Sequence, residues 1–150
     1  MNKIVSESLN ELYKFEKKSN PLTSLNIGKK TLIEKWLKEM NIKEYNLNND
    51  LTINVYTNVY FFGKNLVKFP DYIQFNRITG LFNCRDNNLS SLKGCPLYVG
   101  YYFDCAGNKL ISLDGCPKIV ESWFECRDNE VKFTEEDVKE RCDVGSQIMC

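Results

Sequence analysis

Up to Met40, apolar side chains recur every three or four positions; from Tyr45 onward they alternate with polar ones. The first spacing is that of one helix face, the second that of a half-buried strand. Over residues 3–18, Val5, Leu9, Leu12, Tyr13 and Phe15 form a stripe among Glu and Lys. This predicts a helix ended by Ser19-Asn20-Pro21, because proline disfavours the helical conformation in the residue before it. Over residues 29–40, Leu32, Ile33, Trp36, Leu37 and Met40 share a broad apolar face. A second helix is expected there, with Asn26 as its cap, Gly28 just before its body and Trp36 anchoring it against the repeating region downstream. Tyr45 and Leu47, then Leu51, Ile53 and Val55, then Val59, Phe61 and Gly63 read as short strands. Tyr56-Thr57-Asn58 is a turn between the last two.

The alternating region also repeats itself. Cys84, Cys105 and Cys126 fall 21 residues apart. Phe82, Phe103 and Phe124 precede them by two positions, and Asn87, Asn108 and Asn129 follow by three. Leu89 and Leu110, Leu92 and Leu113, and the Gly94-Cys95-Pro96 and Gly115-Cys116-Pro117 triplets keep the same register. A period of about 20–29 residues with leucines and an asparagine at fixed offsets is the signature of a leucine-rich-repeat solenoid. Along one strand Val99, Tyr101, Phe103 and Cys105 should point inward, and Gly100, Tyr102, Asp104 and Ala106 outward. Asn108 should turn the chain and satisfy backbone groups of the neighbouring coil. Leu110 and Leu113 should close the core. A 21-residue coil leaves little room for a convex α-helix, so turns or short 3₁₀ segments are expected there.

Residues 59–70 look like a degenerate first repeat. Phe61 stands for Phe82 and Gly63 for Cys84, while Leu66 and Phe69 copy Leu89 and Leu92 across a loop two residues shorter. The pattern breaks at Glu130-Val131-Lys132-Phe133. Thr134 then caps a short helix running to about Cys142, with Glu135, Glu136 and Asp137 suiting its first turn. Residues 144–150 carry no evident pattern. The expected fold is an α+β solenoid: a short stack of parallel strands in about 21-residue repeats, with a two-helix cap before it and a helical cap after it. The chain reads as a single domain over residues 1–150. Its parts are a helical cap (1–44), entry strands with the degenerate repeat (45–77), regular repeats (78–133) and a closing helix with its tail (134–150).

Composition narrows the chemistry. Lys+Arg and Asp+Glu both number 20, so no global basic field gathers nucleic acid or anionic lipid. No apolar run is long enough to span a bilayer, and Glu7 comes too early for a secretory leader. The expected location is the cytoplasm. Histidine is absent, which removes Ser-His-Asp and Cys-His nucleophiles and every His-containing metal site. Asp/Glu, Lys, Tyr and Cys chemistry stays open, and an enzyme using Asp104, Glu125 or the cysteines is the third reading of function. Nothing pairs them into a recognisable acid–base site, so no enzymatic activity, cofactor or metal is expected. Of the seven cysteines, five sit at repeat positions. A straight row of them does not supply a tetrahedral zinc site, and each reads as a small apolar side chain filling a narrow core. Structural zinc and redox use of one pair are the alternatives. Cys142 and Cys150 lie outside the repeat and read as the more exposed thiols.

The run Phe82-Asn83-Cys84-Arg85-Asp86-Asn87-Asn88-Leu89-Ser90-Ser91-Leu92-Lys93-Gly94-Cys95-Pro96 resembles leucine-rich-repeat proteins encoded by bacteriophages and mobile elements, often of Bacteroidota hosts. Ile27-Gly28, Ile33 and Trp36-Leu37, then Asp50-Leu51-Thr52-Ile53-Asn54-Val55 and Lys64-Asn65-Leu66, are similar to the segments that precede the repeats in such proteins. Phe133-Thr134-Glu135-Glu136-Asp137-Val138 is similar to their closing segment. The resemblance implies a fold and a phage or mobile-element setting. It implies no catalytic residues, since members of that family mostly lack an assigned activity.

The repeat generates three outward rows. The first holds Tyr60, Leu81, Tyr102 and Trp123; the second Phe62, Asn83, Asp104 and Glu125; the third Lys64, Arg85, Ala106 and Arg127. Exposed Tyr, Trp and Arg together are the usual material of interface hot spots. The candidate partner-binding residues are Tyr60, Leu81, Tyr102, Trp123, Asp104, Glu125, Arg85 and Arg127. The alternative is that a cap helix or loop covers the aromatic row. The expected function is a non-catalytic protein-binding module. In the setting implied by the resemblance, it engages a host or defence-system protein and inhibits or redirects it. A single-stranded RNA or DNA binder using the aromatic and arginine rows is the second reading.

Overall fold

The computed structural model describes residues 21–150, with side chains from residue 24. The helix expected over residues 3–18 lies outside the described residues. The chain divides into two compact units, Met1–Trp36 and Leu37–Cys150.

Helix α1 occupies Pro21–Glu39, and the break between the units falls within it. It extends further toward the N-terminus than the apolar stripe indicates. Pro21 is compatible with a first helical turn, and Asn26 and Gly28 are interior residues rather than a cap and its approach. In the first unit Ile33 and Trp36 are buried while Leu32 is exposed. In the second unit the helix stops at Asn41, whose φ of 60° is left-handed. The Asn41 N–H donates to the Lys38 carbonyl (3.0 Å) and the Ile42 N–H to the Leu37 carbonyl (2.9 Å). That pair of bonds is a Schellman closure, and Ile42 and Leu37 are the buried apolar pair that accompanies one. No helix among the described residues is long and apolar enough to cross a membrane.

The rest of the second unit is a β-solenoid of about four turns. One sheet has the order β1 (Tyr45–Leu47), β2 (Ile53–Val55), β4 (Phe75–Ile78), β6 (Tyr98–Val99), β8 (Ile119–Val120) and β10 (Asp143–Val144). The other runs β3 (Val59–Tyr60), β5 (Phe82–Asn83), β7 (Phe103–Asp104), β9 (Phe124–Glu125) and β11 (Ile148–Met149). All pairs are parallel except the entry hairpin β1–β2. Each coil thus contributes two short strands, one to each sheet. The segments that return from one coil to the next are turns and bends.

Where one long strand was expected over residues 99–106, a bend at Gly100–Tyr101 separates β6 from β7. A Cβ at Gly100 would run into the Thr79 carbonyl, and one at Gly145 into the Glu121 carbonyl. Glycine there lets successive corners pack backbone on backbone. The bend resets the alternation. Tyr101, expected inside, is 53% exposed, whereas Phe103 and Cys105 are fully buried. Ala106, expected outside, is buried as well.

The register of the first coil also differs from expectation. Val59 pairs with Phe82 and Tyr60 with Asn83, so Phe61 heads the cysteine row rather than the phenylalanine row. A shift of two leaves every side chain on its own face, so alternation cannot distinguish the two registers. Leu66 and Phe69, which do match Leu89 and Leu92, are the residues that decide it. The core is then a column of Phe82, Phe103 and Phe124, with Phe82 and Phe103 stacked at 5.8 Å and Phe103 and Phe124 tilted at 5.0 Å, and Phe61 meets Phe82 edge-on at 5.5 Å from the cysteine row. Leu89, Leu92, Leu110 and Leu113 close it.

Asparagines hold the turns. The Asn108 amide donates to the carbonyls of Cys84 (3.0 Å), Cys105 (3.1 Å) and Ala106 (3.2 Å), and its Oδ1 accepts from the Leu89 N–H (3.0 Å). Asn87 and Asn129 repeat the arrangement one coil before and one coil after. The residue before each asparagine is left-handed, with φ of 51° at Asp86, 64° at Gly107 and 56° at Asp128. Asp and Gly tolerate that conformation better than most residues.

Helix α2 (Glu135–Lys139) starts at a capping box. The Asp137 N–H donates to Thr134 Oγ1 (3.2 Å) and the Thr134 N–H to Asp137 Oδ2 (2.8 Å). Those bonds from Thr134 hold the Asp137 carboxyl below its ordinary range. Beyond α2 the chain completes a further coil through β10 and β11, where no pattern was expected. The signal was present: Val144-Gly145-Ser146-Gln147-Ile148-Met149-Cys150 copies Val99-Gly100-Tyr101-Tyr102-Phe103-Asp104-Cys105 at the Val, the Gly, the core apolar and the Cys. Cys150 is therefore inside the repeat and forms a disulfide with Cys126, and Cys142 is buried. This corrects the reading of Cys126 as a free core thiol and of Cys142 and Cys150 as outlying exposed ones.

Phe103→Ala should cost about 3–5 kcal/mol, and Tyr101→Ala no more than about 0.5 kcal/mol. Urea unfolding of both variants checks this, and equal losses would contradict the bend. Asn108→Ala leaves at least two buried backbone groups unpaired and should cost roughly 2–5 kcal/mol. A loss below about 1 kcal/mol in the same assay would show that other groups or water take over the turn.

Candidate functional site

The outer face of the second sheet carries the sequence-derived candidates. The strand register places Leu81, Tyr102 and Trp123 in one row, preceded by Asn58, whose Oδ1 accepts from the Leu81 N–H at 3.1 Å. Tyr102 and Trp123 stack face to face, 4.0 Å between centroids and 10° from parallel. Both are half-buried. Tyr101 leans on Tyr102 at 5.4 Å from the exposed side of the bend. Within the second unit the Tyr102–Trp123 pair is partly covered and partly accessible.

Four expectations about this face need correction. Leu81 is buried at 6% exposure, and so are Asp104 at 4% and Glu125 at 3%. Tyr60 is exposed as expected but belongs to the Asn83–Asp104–Glu125 row, because of the first-coil register. Sheet alternation put the two carboxylates outward, and outward they are. The strands are so short, however, that each side chain curls back onto its own backbone. Asp104 Oδ1 accepts from the Ala106 N–H (3.0 Å), as Asn83 Oδ1 does from the Arg85 N–H (3.0 Å). Glu125 Oε1 takes the Arg127 N–H (3.3 Å).

The arginines lie over these acids. Arg127 grips Glu125 with two bonds, Nε to Oε1 at 2.7 Å and Nη2 to Oε2 at 2.9 Å. Glu125 thereby raises the Arg127 pKa further above its ordinary value. Arg85 spans Asp86 (3.4 Å) and Asp104 (3.8 Å). Burial pushes the Asp104 carboxyl above its ordinary range against the opposing pull of the Ala106 N–H and Arg85, and Glu125 and Asp86 push the same way. The surface is thus a half-exposed aromatic pair bordered by Tyr101 and by clasped, largely neutralised charges. Tyr101 escaped sequence reasoning because alternation places it inside; Gly100 before it was the available cue.

This face is not a pocket. A cleft of about 520 Å³ opens elsewhere, between α2 and β10–β11, lined by Glu135, Lys139, Arg141 and Cys142 among others. On the outer face of the first sheet, Arg77 stacks over Tyr98 at 3.9 Å. That is a cation–π contact within one surface rather than a site.

Asp104 allows a pH test. Its folded pKa lies above its unfolded one, so the wild type loses stability as pH rises through the folded value. Asn83 shows that asparagine makes the same backbone bond in this row. Asp104→Asn should therefore melt at a higher temperature than wild type near pH 7, and the gap should close toward pH 4. A gap that widens on acidification would mean that the Arg85 pair outweighs burial.

No protein-family model matches this chain, and comparison with curated proteins and with solved structures found no match either.

Proposed function

We propose that the chain is a leucine-rich-repeat-type solenoid, with 21-residue coils and helical ends, that serves as a non-catalytic protein-binding module. Its binding surface is the outer face of the second sheet. The observation that carries this reading is the Tyr102–Trp123 stack, half-buried on a parallel ladder beside the exposed Tyr101, with exposed Tyr60 two strands away on the same sheet. Aromatic side chains already held in place lose little freedom when a partner covers them. The clasped state of Arg85 and Arg127 favours a protein partner over a nucleic acid. Both cations are engaged by Asp104 and Glu125, and a phosphate would have to displace those carboxylates. The resemblance to phage and mobile-element repeat proteins supports a cytoplasmic setting and a host or defence-system protein as the partner, which the module inhibits or redirects.

Tyr102→Ala and Trp123→Ala should each weaken the partner complex by roughly 2 kcal/mol or more while leaving the fold intact, at a cost in stability of the free protein of about 1–2 kcal/mol from the lost stack. Lys93→Glu and Lys118→Glu, on the returning segments, serve as controls. Partner capture with and without nuclease, followed by titration calorimetry on the variants, checks this. Wild-type affinity in both aromatic variants would remove the surface from consideration. Capture lost on nuclease treatment, with a steep fall of affinity in salt, would instead favour the single-stranded nucleic-acid reading.

A further inference from the structure

The last rung of the cysteine row differs from the others. Cys84 and Cys105 are buried thiols that donate to the carbonyls of Asp104 (3.4 Å) and Glu125 (3.3 Å) in the next coil. Cys126 is bonded to Cys150 instead. Its equivalent acceptor, the Met149 carbonyl, is already in place and takes the Cys126 N–H at 2.8 Å. The rung therefore suits a thiol as well as a disulfide, and the stack does not depend on the bond for its geometry.

The bond is also reachable. A cleft of about 320 Å³ is lined by both cysteines together with Arg127, Asp128, Lys132 and Phe133. A neighbouring opening of about 400 Å³ reaches Cys150 past Lys132 and Ile148. Cys126 is 1% exposed while Cys150 is half-buried and lines both openings, so Cys150 is the more accessible partner of the bond. The other five cysteines are buried. Burial raises the thiols of Cys95 and Cys105 well above their ordinary value, Cys116 to about 11 and Cys142 to about 12. These four, held as protonated thiols, exchange slowly, and Cys84 is shielded by its burial.

We propose that the Cys126–Cys150 disulfide is a redox latch on the last coil, opened by an anionic low-molecular-weight thiol that enters the cleft beside Lys132. The thiolate attacks Cys150 Sγ and forms a mixed disulfide there. The Cys126–Cys150 bond breaks, and its electron pair leaves on Cys126 Sγ, which takes up a proton. A second thiolate attacks the sulfur of the bound thiol and releases Cys150. In total, two small thiols are oxidised to one disulfide and the protein disulfide is reduced to two thiols. Lys132 favours a thiol carrying net negative charge. Arg127 adds less because Glu125 shares it, and Asp128 in the same lining and Glu135 in the neighbouring opening oppose it, so the preference rests on Lys132. Opening leaves β11 held to β9 by backbone bonds, such as the Phe124 N–H to the Gln147 carbonyl (2.9 Å), and by the packing of Ile148 in register with Phe124. A cysteine pair that cycles in this way is the usual form of disulfide in a reducing compartment.

The test uses the 150-residue chain purified without reductant, treated with glutathione or with the cationic thiol cysteamine at matched thiolate concentration. Samples are quenched by alkylation and read by mass spectrometry. The expected result is labelling at Cys126 and Cys150 only, through a transient glutathione adduct on Cys150, with the five other thiols labelled only in denaturant. Lys132→Glu should slow glutathione by roughly threefold and leave cysteamine no slower. Amide exchange over residues 143–150 should speed up by about tenfold on reduction while residues 82–105 stay unchanged. Cys150→Ser should show the fast exchange without any thiol, which separates unlatching from general unfolding. The proposal is overturned by any of three results. One is a disulfide that resists glutathione until the chain unfolds. Another is seven free thiols that glutathione disulfide does not convert to the bond. The third is exchange over residues 143–150 that reduction leaves unaltered.

Discussion

The regular coils of the solenoid depend on an asparagine carboxamide at the corner, buried at Asn87 and Asn108 and half-buried at Asn129. A coil this short has no helix on its returning side, so the carbonyls and amides at the corner have no regular partner. Asparagine is the one short side chain that offers two donors and an acceptor together. Asn108 uses both, reaching carbonyls of its own coil and of the coil before, and an amide of the coil before. Aspartate would lack the donors, and glutamine would place the same group one methylene too far. Among the described residues no buried side-chain nitrogen or oxygen is left without a partner. The amide column therefore ties each coil to its neighbour at the corner, while the phenylalanine column fills the space between the sheets.

Much of this was legible in the sequence, and the errors share one cause. The inward phenylalanines and cysteines, the closing leucines, the asparagine turns and the Thr134 cap all follow from residue types whose demands are local. Strand alternation is different, because it carries only a two-valued signal. It could not see that Gly100 breaks the strand and turns Tyr101 outward. It could not distinguish the two registers of Tyr60, which lie two residues apart on the same face. It also treats outward as exposed, and Leu81, Asp104 and Glu125 are outward yet covered. Short strands on a tight coil let a side chain fold back over its own backbone, and that geometry leaves no periodic trace. The last coil was missed for the opposite reason: its pattern was present, but α2 delays it beyond the expected interval.

The candidate surface owes its character to that folding back. With Asp104 and Glu125 tucked in and the arginines drawn over them, charge on this face is spent within the face. The net neutrality of the whole chain is thus reproduced locally. The part that remains available to a partner is ring surface: Tyr60, Tyr101 and the Tyr102–Trp123 pair. A surface of this kind discriminates by shape more than by long-range attraction, so encounter with a partner should be little steered by charge.

The detour through α2 has a wider consequence. Neighbouring coils meet at two short strand pairs and one corner, and on the returning side through the closing leucines and a few backbone bonds, such as the Ser90 N–H to the Val67 carbonyl (3.2 Å). Between β9 and β11 the chain inserts a capped helix and still returns Val144, Ile148 and Cys150 to the positions of Val120, Phe124 and Cys126. The last return thus differs in length and content from the regular ones while both strand pairs keep their register: Cys126 and Cys150 lie 24 residues apart, Cys105 and Cys126 21. The returning side is where this architecture takes up extra chain, away from the face that carries the aromatic rows.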